Sequence, residues 1–327
     1  MNAGAEMTGG GAASGRVRVG LTLPSFQSEP EKVLAVARAA EDAGLDGVFL
    51  FDHLFRRRGD AAGAEPRPAL ELLTMTAAVA AATERVAVGT LVARATLRPP
   101  AVLRAAFDTL ARIAPGRIIA GLGGGDDLSL AEDRAFGVLP GDPAPGGSGT
   151  ADGDPGAYRL ERLEAAVGAL AGRAYPVWVA GVSPGAVRIA AERADGWNRW
   201  GGLPTSFGAA AERVRAEVAN AKRDAAAFTC TWGGLAVLGA TIGVAEAKRD
   251  RLNGNRPGIV SGDPAEVANQ IGAYGAAGAG WVILGPIDSA DPSNAALLGE
   301  ATSSIPFAIR SAPSAVPSRP TSTDCTS

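Results

Sequence analysis

The sequence predicts an α/β domain closed into an eight-stranded parallel barrel, the (β/α)8 or TIM architecture. Apolar strand-like runs alternate with amphipathic helical patterns along almost the whole chain. Parallel strands need such crossover helices, and eight strand–helix units are the number that closes a barrel. An open doubly wound sheet would show Gly-x-Gly-x-x-Gly after its first strand, and here that strand ends in Leu21-Thr22-Leu23-Pro24-Ser25. The length of 327 residues suits one such barrel, and 46% hydrophobic residues suffice for its core.

The elements follow in order. The first strand spans 16–23 and stops at Pro24. The helix after it starts near Pro30, aligns Val33, Val36, Ala37 and Ala40 on one face, and ends at Gly44. The second strand, 47–51, is followed by a helix over 69–82. The third, 86–92, leads to a helix opened by Pro99-Pro100, with Leu103, Ala106, Phe107 and Leu110 aligned and Pro115-Gly116 as its stop. The fourth strand is 117–122. Residues 139–156 are crowded with Gly, Pro, Asp and Ser and read as a mobile loop before a helix at 158–170. The fifth strand, 176–180, passes through Ser183-Pro184 into a helix with Val187, Ala190, Ala191 and Ala194 on one face. The sixth, 196–200, precedes a helix over 204–223, and the seventh, 228–238, a short helix at 244–252. Asp263-Pro264-x-Glu266 reads as a helix start: a capping aspartate, proline in the first turn, and an acid near the positive end of the helix. The eighth strand is 280–284. Residues 1–15 and 303–327 read as disordered tails around one barrel domain over 16–302.

Composition removes several classes of function. A net charge of −3 and a pI of about 5.4 give no electrostatic reason for nucleic acid or an acidic membrane as partner. No apolar run is long enough to span a bilayer. Cys230 and Cys325 form no disulfide framework, which fits a reducing cytoplasm. One histidine and two distant cysteines supply no zinc ligand set, so no metal site is expected. A serine hydrolase lacks its Gly-x-Ser-x-Gly elbow between strand and helix.

Asp52-His53 is the feature that points to chemistry. It ends the apolar run Gly47-Val48-Phe49-Leu50-Phe51 and contains the single histidine of the chain. In a parallel barrel the C-terminal ends of the strands form the active-site face, and imidazole moves protons near neutral pH. His53 is the expected proton carrier and Asp52 its orienting neighbour. Gly121-Leu122-Gly123-Gly124-Gly125-Asp126-Asp127 follows the fourth strand. It would let backbone approach a flat or anionic ligand and bring the Asp126 carboxylate to the same face. Gly181-Val182-Ser183-Pro184-Gly185 opens a helix whose free amides suit a phosphate, although simple capping by Ser183 explains the same residues. Asn198, at the end of the sixth strand, is a candidate ligand contact. Arg56-Arg57-Arg58 stands just past His53 and reads equally as an anion-binding cluster or a solvated loop.

The motifs together resemble the bacterial luciferase-like monooxygenase superfamily, whose members use reduced FMN or the 5-deazaflavin coenzyme F420. The marks are Ala40-Glu41-Asp42-Ala43-Gly44-Leu45-Asp46 before Asp52-His53, Ala82-Thr83-Glu84-Arg85-Val86 before Val88-Gly89-Thr90, and Pro115-Gly116-Arg117 before Gly121-Leu122-Gly123. Val177-Trp178-Val179-Ala180-Gly181, Ala194-Asp195-Gly196-Trp197-Asn198 and Gly262-Asp263-Pro264-Ala265-Glu266-Val267 continue the series. The resemblance covers 16 to about 298 and implies the same barrel with the flavin ring at its C-terminal face. It further implies that Asp52 and His53 line the reactive side of that ring. Thr90-Leu91 matches a bulge behind the ring, where a non-proline cis peptide is common in the family. Asp126 matches the position of an acid, Ser129 a polar ring contact, and Gly181, Val182 and Ser183 a cofactor loop. Dimers are common in the family, and no interface is readable in these residues.

Two departures stand out. Arg57 occupies a position that is aromatic in members acting on sugar phosphates, which disfavours such a substrate. Only Ala171-Gly172-Arg173-Ala174-Tyr175 separates the fourth barrel helix from the fifth strand, where the family usually inserts a long segment, so a more open pocket is expected. The resulting expectation is an F420-dependent oxidoreductase moving a hydride to or from a small organic molecule, with Arg56 to Arg58 holding the anionic tail of the coenzyme. Two alternatives stay open on the same residues: an FMN-dependent, oxygen-using monooxygenase, and a non-catalytic flavin-binding or partner subunit.

Overall fold

The computed structural model describes residues 16–56, 67–125, 129–138, 154–252 and 258–305. Eight parallel strands form the barrel: β1 (Arg18–Thr22), β2 (Gly47–Leu50), β3 (Ala87–Thr90), β4 (Ile118–Gly123), β5 (Val177–Ala180), β6 (Gly196–Trp200), β7 (Thr229–Leu238) and β8 (Trp281–Pro286). Each pairs with the next, and β8 closes onto β1 with Arg18 opposite Trp281 and Leu21 opposite Leu284. All eight stand where the hydrophobic runs place them.

The helices cover the outside: α1 (Pro30–Asp42), α2 (Leu72–Ala82), α3 (Pro100–Ile113), α4 (Leu130–Ala135), α5 (Pro155–Ala169), α6 (Pro184–Arg193), α7 (Pro204–Asn220), α8 (Ile242–Arg249), α9 (Pro264–Ala276) and α10 (Ser293–Ser303). Their starts obey the capping chemistry read from sequence. Ser183 accepts the Ala186 amide at 3.3 Å and Asp263 accepts that of Glu266 at 3.0 Å. Helix α8 begins two residues earlier than its apolar pattern, because Thr241 caps it. Helix α4 lies between the fourth strand and residue 139, where the sequence shows no element; at six residues it is too short to show a period. Helix α10 follows β8 and buries Ala295 and Leu298. Residues 1–15 and 306–327, the bulk of the two expected tails, lie outside the described residues. Among the described residues no helix is long and apolar enough to cross a membrane.

The barrel interior is filled by Phe49, Leu91, Ile119, Trp178, Trp281 and Ile283. Phe49 packs against Trp178 and Trp281 with ring centroids 5.8 and 5.6 Å away. Bare backbone opposite these rings makes the room: a Cβ on Gly20 or Gly89 would sit 2.6 Å from Phe49, and one on Gly47 would sit 2.8 Å from Trp281. Beyond Thr90 the third strand breaks at a cis Leu91–Val92 peptide and resumes as Ala93–Arg94 alongside Leu122 and Gly123 of β4. That bulge and the ends of β1, β2 and β4 to β7 frame the C-terminal mouth.

Candidate active site

Asp52 and His53 follow β2 at that mouth. Asp52 is buried, and its carboxylate is committed to a structural task. Oδ2 accepts the Arg94 backbone N–H at 2.9 Å and Arg98 Nη1 at 2.5 Å, while Oδ1 accepts Arg98 Nη2 at 3.2 Å. Arg98 also binds Glu71, the N-cap of α2. This two-pronged pair fixes the end of β2 to the loop that enters α3.

Glu132, from α4, is the carboxylate on His53. The expectation that Asp52 orients the imidazole is therefore corrected: Asp52 is held by Arg98, and His53 Nδ1 lies 2.6 Å from Glu132 Oε1. Glu132 Oε2 accepts the Leu54 amide at 2.7 Å and Arg94 Nη2 at 2.9 Å. Arg94 Nη1 binds Asp133 Oδ1 at 2.9 Å, and Asp133 Oδ2 accepts Arg159 Nη2 at 2.8 Å. Arg94, Glu132 and Asp133 are 3%, 3% and 0% exposed, so their charges are tolerated only because they are paired and hydrogen-bonded. Three buried carboxylates (Asp52, Glu132, Asp133) meet three guanidinium groups (Arg94, Arg98, Arg159), and Arg98 reaches the more exposed Glu71 as well.

Electrostatics fix the role of each nitrogen of His53. Burial pushes the Glu132 carboxyl upward, but the hydrogen bonds from His53 and the Leu54 amide and the Arg94 charge outweigh it and hold the group below its ordinary range. Glu132 is thus ionised at neutral pH and can only accept, so Nδ1 carries the proton of the neutral ring. Nε2, which has no hydrogen bond among the described residues, is left as the proton acceptor. The ring stands between Phe26 and Phe51, with centroids 5.3 and 5.7 Å away.

The other sequence candidates divide by position. Thr90 is fully buried, and its hydroxyl exchanges hydrogen bonds with the Gly121 backbone at 2.7 and 3.0 Å, tying β3 to β4. Leu91 opens the cis bulge and faces the barrel interior. Ser129 is buried just before α4, near Gly125. Asn198 is also buried and donates to Thr231 Oγ1 at 2.8 Å, linking β6 to β7. Gly181, at a φ of +139°, donates its N–H to Asn198 O and accepts from the Trp197 indole, and Ser183 caps α6. Val182 projects from that loop, 68% exposed. Asp126, Arg57, Arg58 and the Arg56 side chain lie outside the described residues.

Sequence reasoning missed Arg94, Arg98, Glu132 and Asp133. One signal was present: Arg94 interrupts the apolar run Leu91-Val92-Ala93-Arg94-Ala95, and a charge inside such a run needs a buried partner. The residues at this end suit a flat redox ring. Leu91 and Val92 form an apolar bulge pressed against a β4 edge that has no side chains: a Cβ on Gly121 would meet Thr90 O at 2.0 Å and one on Gly123 would meet Val92 at 2.5 Å. The His53 imidazole, held by Glu132, stands at the same mouth. Among the described residues no group of three or more His, Cys, Asp or Glu could hold a metal ion. A separate cavity of ≈ 910 Å³, lined by Arg18, Arg117, Trp178 and Trp281 among others, opens at the N-terminal ends of the strands, opposite this face.

Comparison with known proteins places this arrangement in a family. The family model for luciferase-like monooxygenases matches residues 7–146 and 148–257, well over half of the chain. The chain belongs to the luciferase-like monooxygenase family. Among curated proteins of related sequence, the F420-dependent glucose-6-phosphate dehydrogenase of Beutenbergia cavernae is 41% identical over 118 residues, 35% of this chain and 33% of that protein. Its namesake from Nakamurella multipartita is 40% identical over 114 residues, 35% of this chain and 32% of that one. The chain thus spans about a third of the length of the curated relatives it matches. Among solved structures, an F420-dependent secondary alcohol dehydrogenase in complex with an F420-acetone adduct superposes with a TM-score of 0.68 at 15% identity, covering 88% of this chain and 98% of that one. The coenzyme F420 dependent tetrahydromethanopterin reductase of Methanopyrus kandleri gives 0.65 at 17% identity, covering 86% and 97%. At these identities the superpositions show that the luciferase-like barrel is shared.

Proposed function

We propose that this chain is an oxidoreductase that uses coenzyme F420 to move a hydride to or from a small organic substrate, with His53 as the proton carrier. The observation that carries the reading is the His53–Glu132 contact, which leaves Nε2 as a proton acceptor at the C-terminal mouth. The names of the curated relatives support F420 as the coenzyme. When bound, the deazaflavin supplies a two-electron hydride acceptor or donor. For an alcohol, oxidation removes one hydride from carbon and one proton from oxygen. His53 Nε2 takes that proton, and ionised Glu132 stabilises the imidazolium that results. The reverse reaction returns both.

Leu91, Ser129 and the Gly181, Val182, Ser183 loop are assigned to the coenzyme. Thr90 and Asn198 act from inside the wall, holding adjacent strands in register. Asp126 as a second acid and Arg56 to Arg58 as contacts for an anionic tail rest on sequence position. A reducing cytoplasm is the setting proposed for the chain, and Cys230, a buried free thiol, is compatible with it.

The experiment is a parallel fluorescence titration of the purified protein with oxidised F420 and with FMN. Selective, saturable F420 binding is the expected result. Selective FMN binding would replace the coenzyme assignment with the FMN alternative, and binding of neither would overturn the redox reading.

A further inference from the structure

The two halves of the C-terminal mouth differ in chemistry. The ends of β2 to β4 carry the ion-pair network around His53. The loops after β5, β6 and β7 (Gly181-Val182-Ser183, Gly201-Gly202-Leu203 and Gly239-Ala240-Thr241) contain no charged residue. Of the eight large apolar side chains exposed among the described residues, five lie here: Val182, Trp200, Leu203, Ile242 and Val244. Trp200 is the largest and is 50% exposed.

Its place is built. Trp200 ends β6 opposite Gly233 of β7. A Cβ on Gly233 would lie 2.7 Å from Trp200 Cε3 and 3.4 Å from Leu91 Cδ2, and a Cβ on Gly285 would lie 3.4 Å from Trp200 Cη2 and 2.9 Å from Thr22 Oγ1. The indole therefore lies across the bare backbone of β7 and β8, beside the cis bulge, with its far edge near β1. The chain behind it is fixed: Gly201 and Gly202 turn at φ +74° and +87°, Trp232 Nε1 donates to both their carbonyls, and Tyr274 Oη donates to Gly202 O at 2.8 Å. Arg199, its neighbour in sequence, turns its guanidinium to Ser206 O at 2.9 Å. A rigid aromatic face, with the adjacent Arg199 guanidinium already turned to Ser206 O, suits a flat apolar group better than a phosphate.

We infer that Trp200 is the substrate platform of this mouth, and that it selects an uncharged alcohol or ketone bearing an aromatic or flat apolar group over a phosphorylated sugar. The inference rests on the hydride-transfer reading above and adds its substrate class. Its test begins by confirming F420 binding for native protein, Trp200→Ala and Trp200→Phe, which reads the coenzyme assignment alone. Acetophenone and glucose 6-phosphate are then titrated calorimetrically into the F420-loaded proteins, and F420 reduction is followed with 1-phenylethanol and with glucose 6-phosphate.

The native protein is expected to bind acetophenone and oxidise 1-phenylethanol in preference to the sugar phosphate. Trp200→Ala should weaken acetophenone binding and raise KM for 1-phenylethanol about tenfold, while Trp200→Phe restores most of the loss. F420 affinity should stay the same in all three. Preference for glucose 6-phosphate, indifference of both aromatic ligands to Trp200→Ala, or activity toward neither substrate would overturn the inference while leaving F420 binding intact. A loss of F420 affinity in Trp200→Ala equal to the loss for acetophenone would reassign Trp200 to the coenzyme.

Discussion

His53 and Glu132 are 79 positions apart in sequence, yet Nδ1 and Oε1 meet at 2.6 Å. One comes from the end of β2 and the other from α4, and Arg94, on the strand fragment after the cis bulge, joins them through Glu132 Oε2. The His53 ring is therefore set by three βα loops at once. That explains why six buried or part-buried charges are kept beside a mouth where water-excluded apolar packing would cost less.

Replacing Glu132 separates positioning from catalysis. Glu132→Gln keeps the shape but replaces an acceptor-only carboxylate by a neutral amide that can also donate, so kcat is expected to fall about 100-fold while F420 affinity stays within about twofold. Steady-state kinetics alongside fluorescence titration reads both. Unchanged kcat would show that Nδ1 needs no carboxylate.

Asp52→Asn should act on stability. It halves the two-pronged contact and leaves the Arg98 charge with only the more exposed Glu71, so a loss of about 2–4 kcal/mol is expected in urea denaturation. A loss in activity without any loss in stability would place Asp52 in the chemistry instead.

The acid limb of stability belongs in part to Glu132. Its carboxyl is held below the ordinary value of 4.5 in the folded chain, so the unfolded chain binds the proton more readily. Its contribution is complete above about pH 4.5 and is lost as pH falls through the lower, folded value. Chemical denaturation at a series of pH values should show native stability level down to about pH 5 and falling below it, with a shallower fall in Glu132→Gln. Parallel curves would remove Glu132 from the acid transition.

The glycines facing Phe49 are expected to be intolerant. Gly89→Ala places a Cβ 2.6 Å from the Phe49 ring and should cost about 1–3 kcal/mol, with Phe49→Leu in the same chain recovering part of it. A double mutant no better than the single would mean that the clash lies elsewhere.

Much of the barrel was legible because strand and helix periods differ and because caps such as Asp263 and Ser183 announce themselves. All eight strands follow from local apolar runs. The His53 site was legible only in its first half. A strand that ends in Asp-His can be seen in sequence, but the carboxylate that serves the histidine sits on a six-residue helix with no readable period. Nothing local shows that Arg98 claims Asp52, since that pairing is made by the barrel bringing β2 beside β3. Arg94, a charge inside an apolar run, was the one visible sign of the network.

The most direct test uses the fact that this chain has one histidine. With 15N-labelled histidine, a long-range 15N–1H spectrum contains a single imidazole and reports which nitrogen holds the proton of the neutral ring. The structure predicts a proton on Nδ1 and a bare Nε2 in the native protein, with a shift toward the Nε2-protonated form in Glu132→Ala. A native neutral ring protonated on Nε2 would contradict the Glu132 clamp and, with it, the assignment of His53 as proton acceptor.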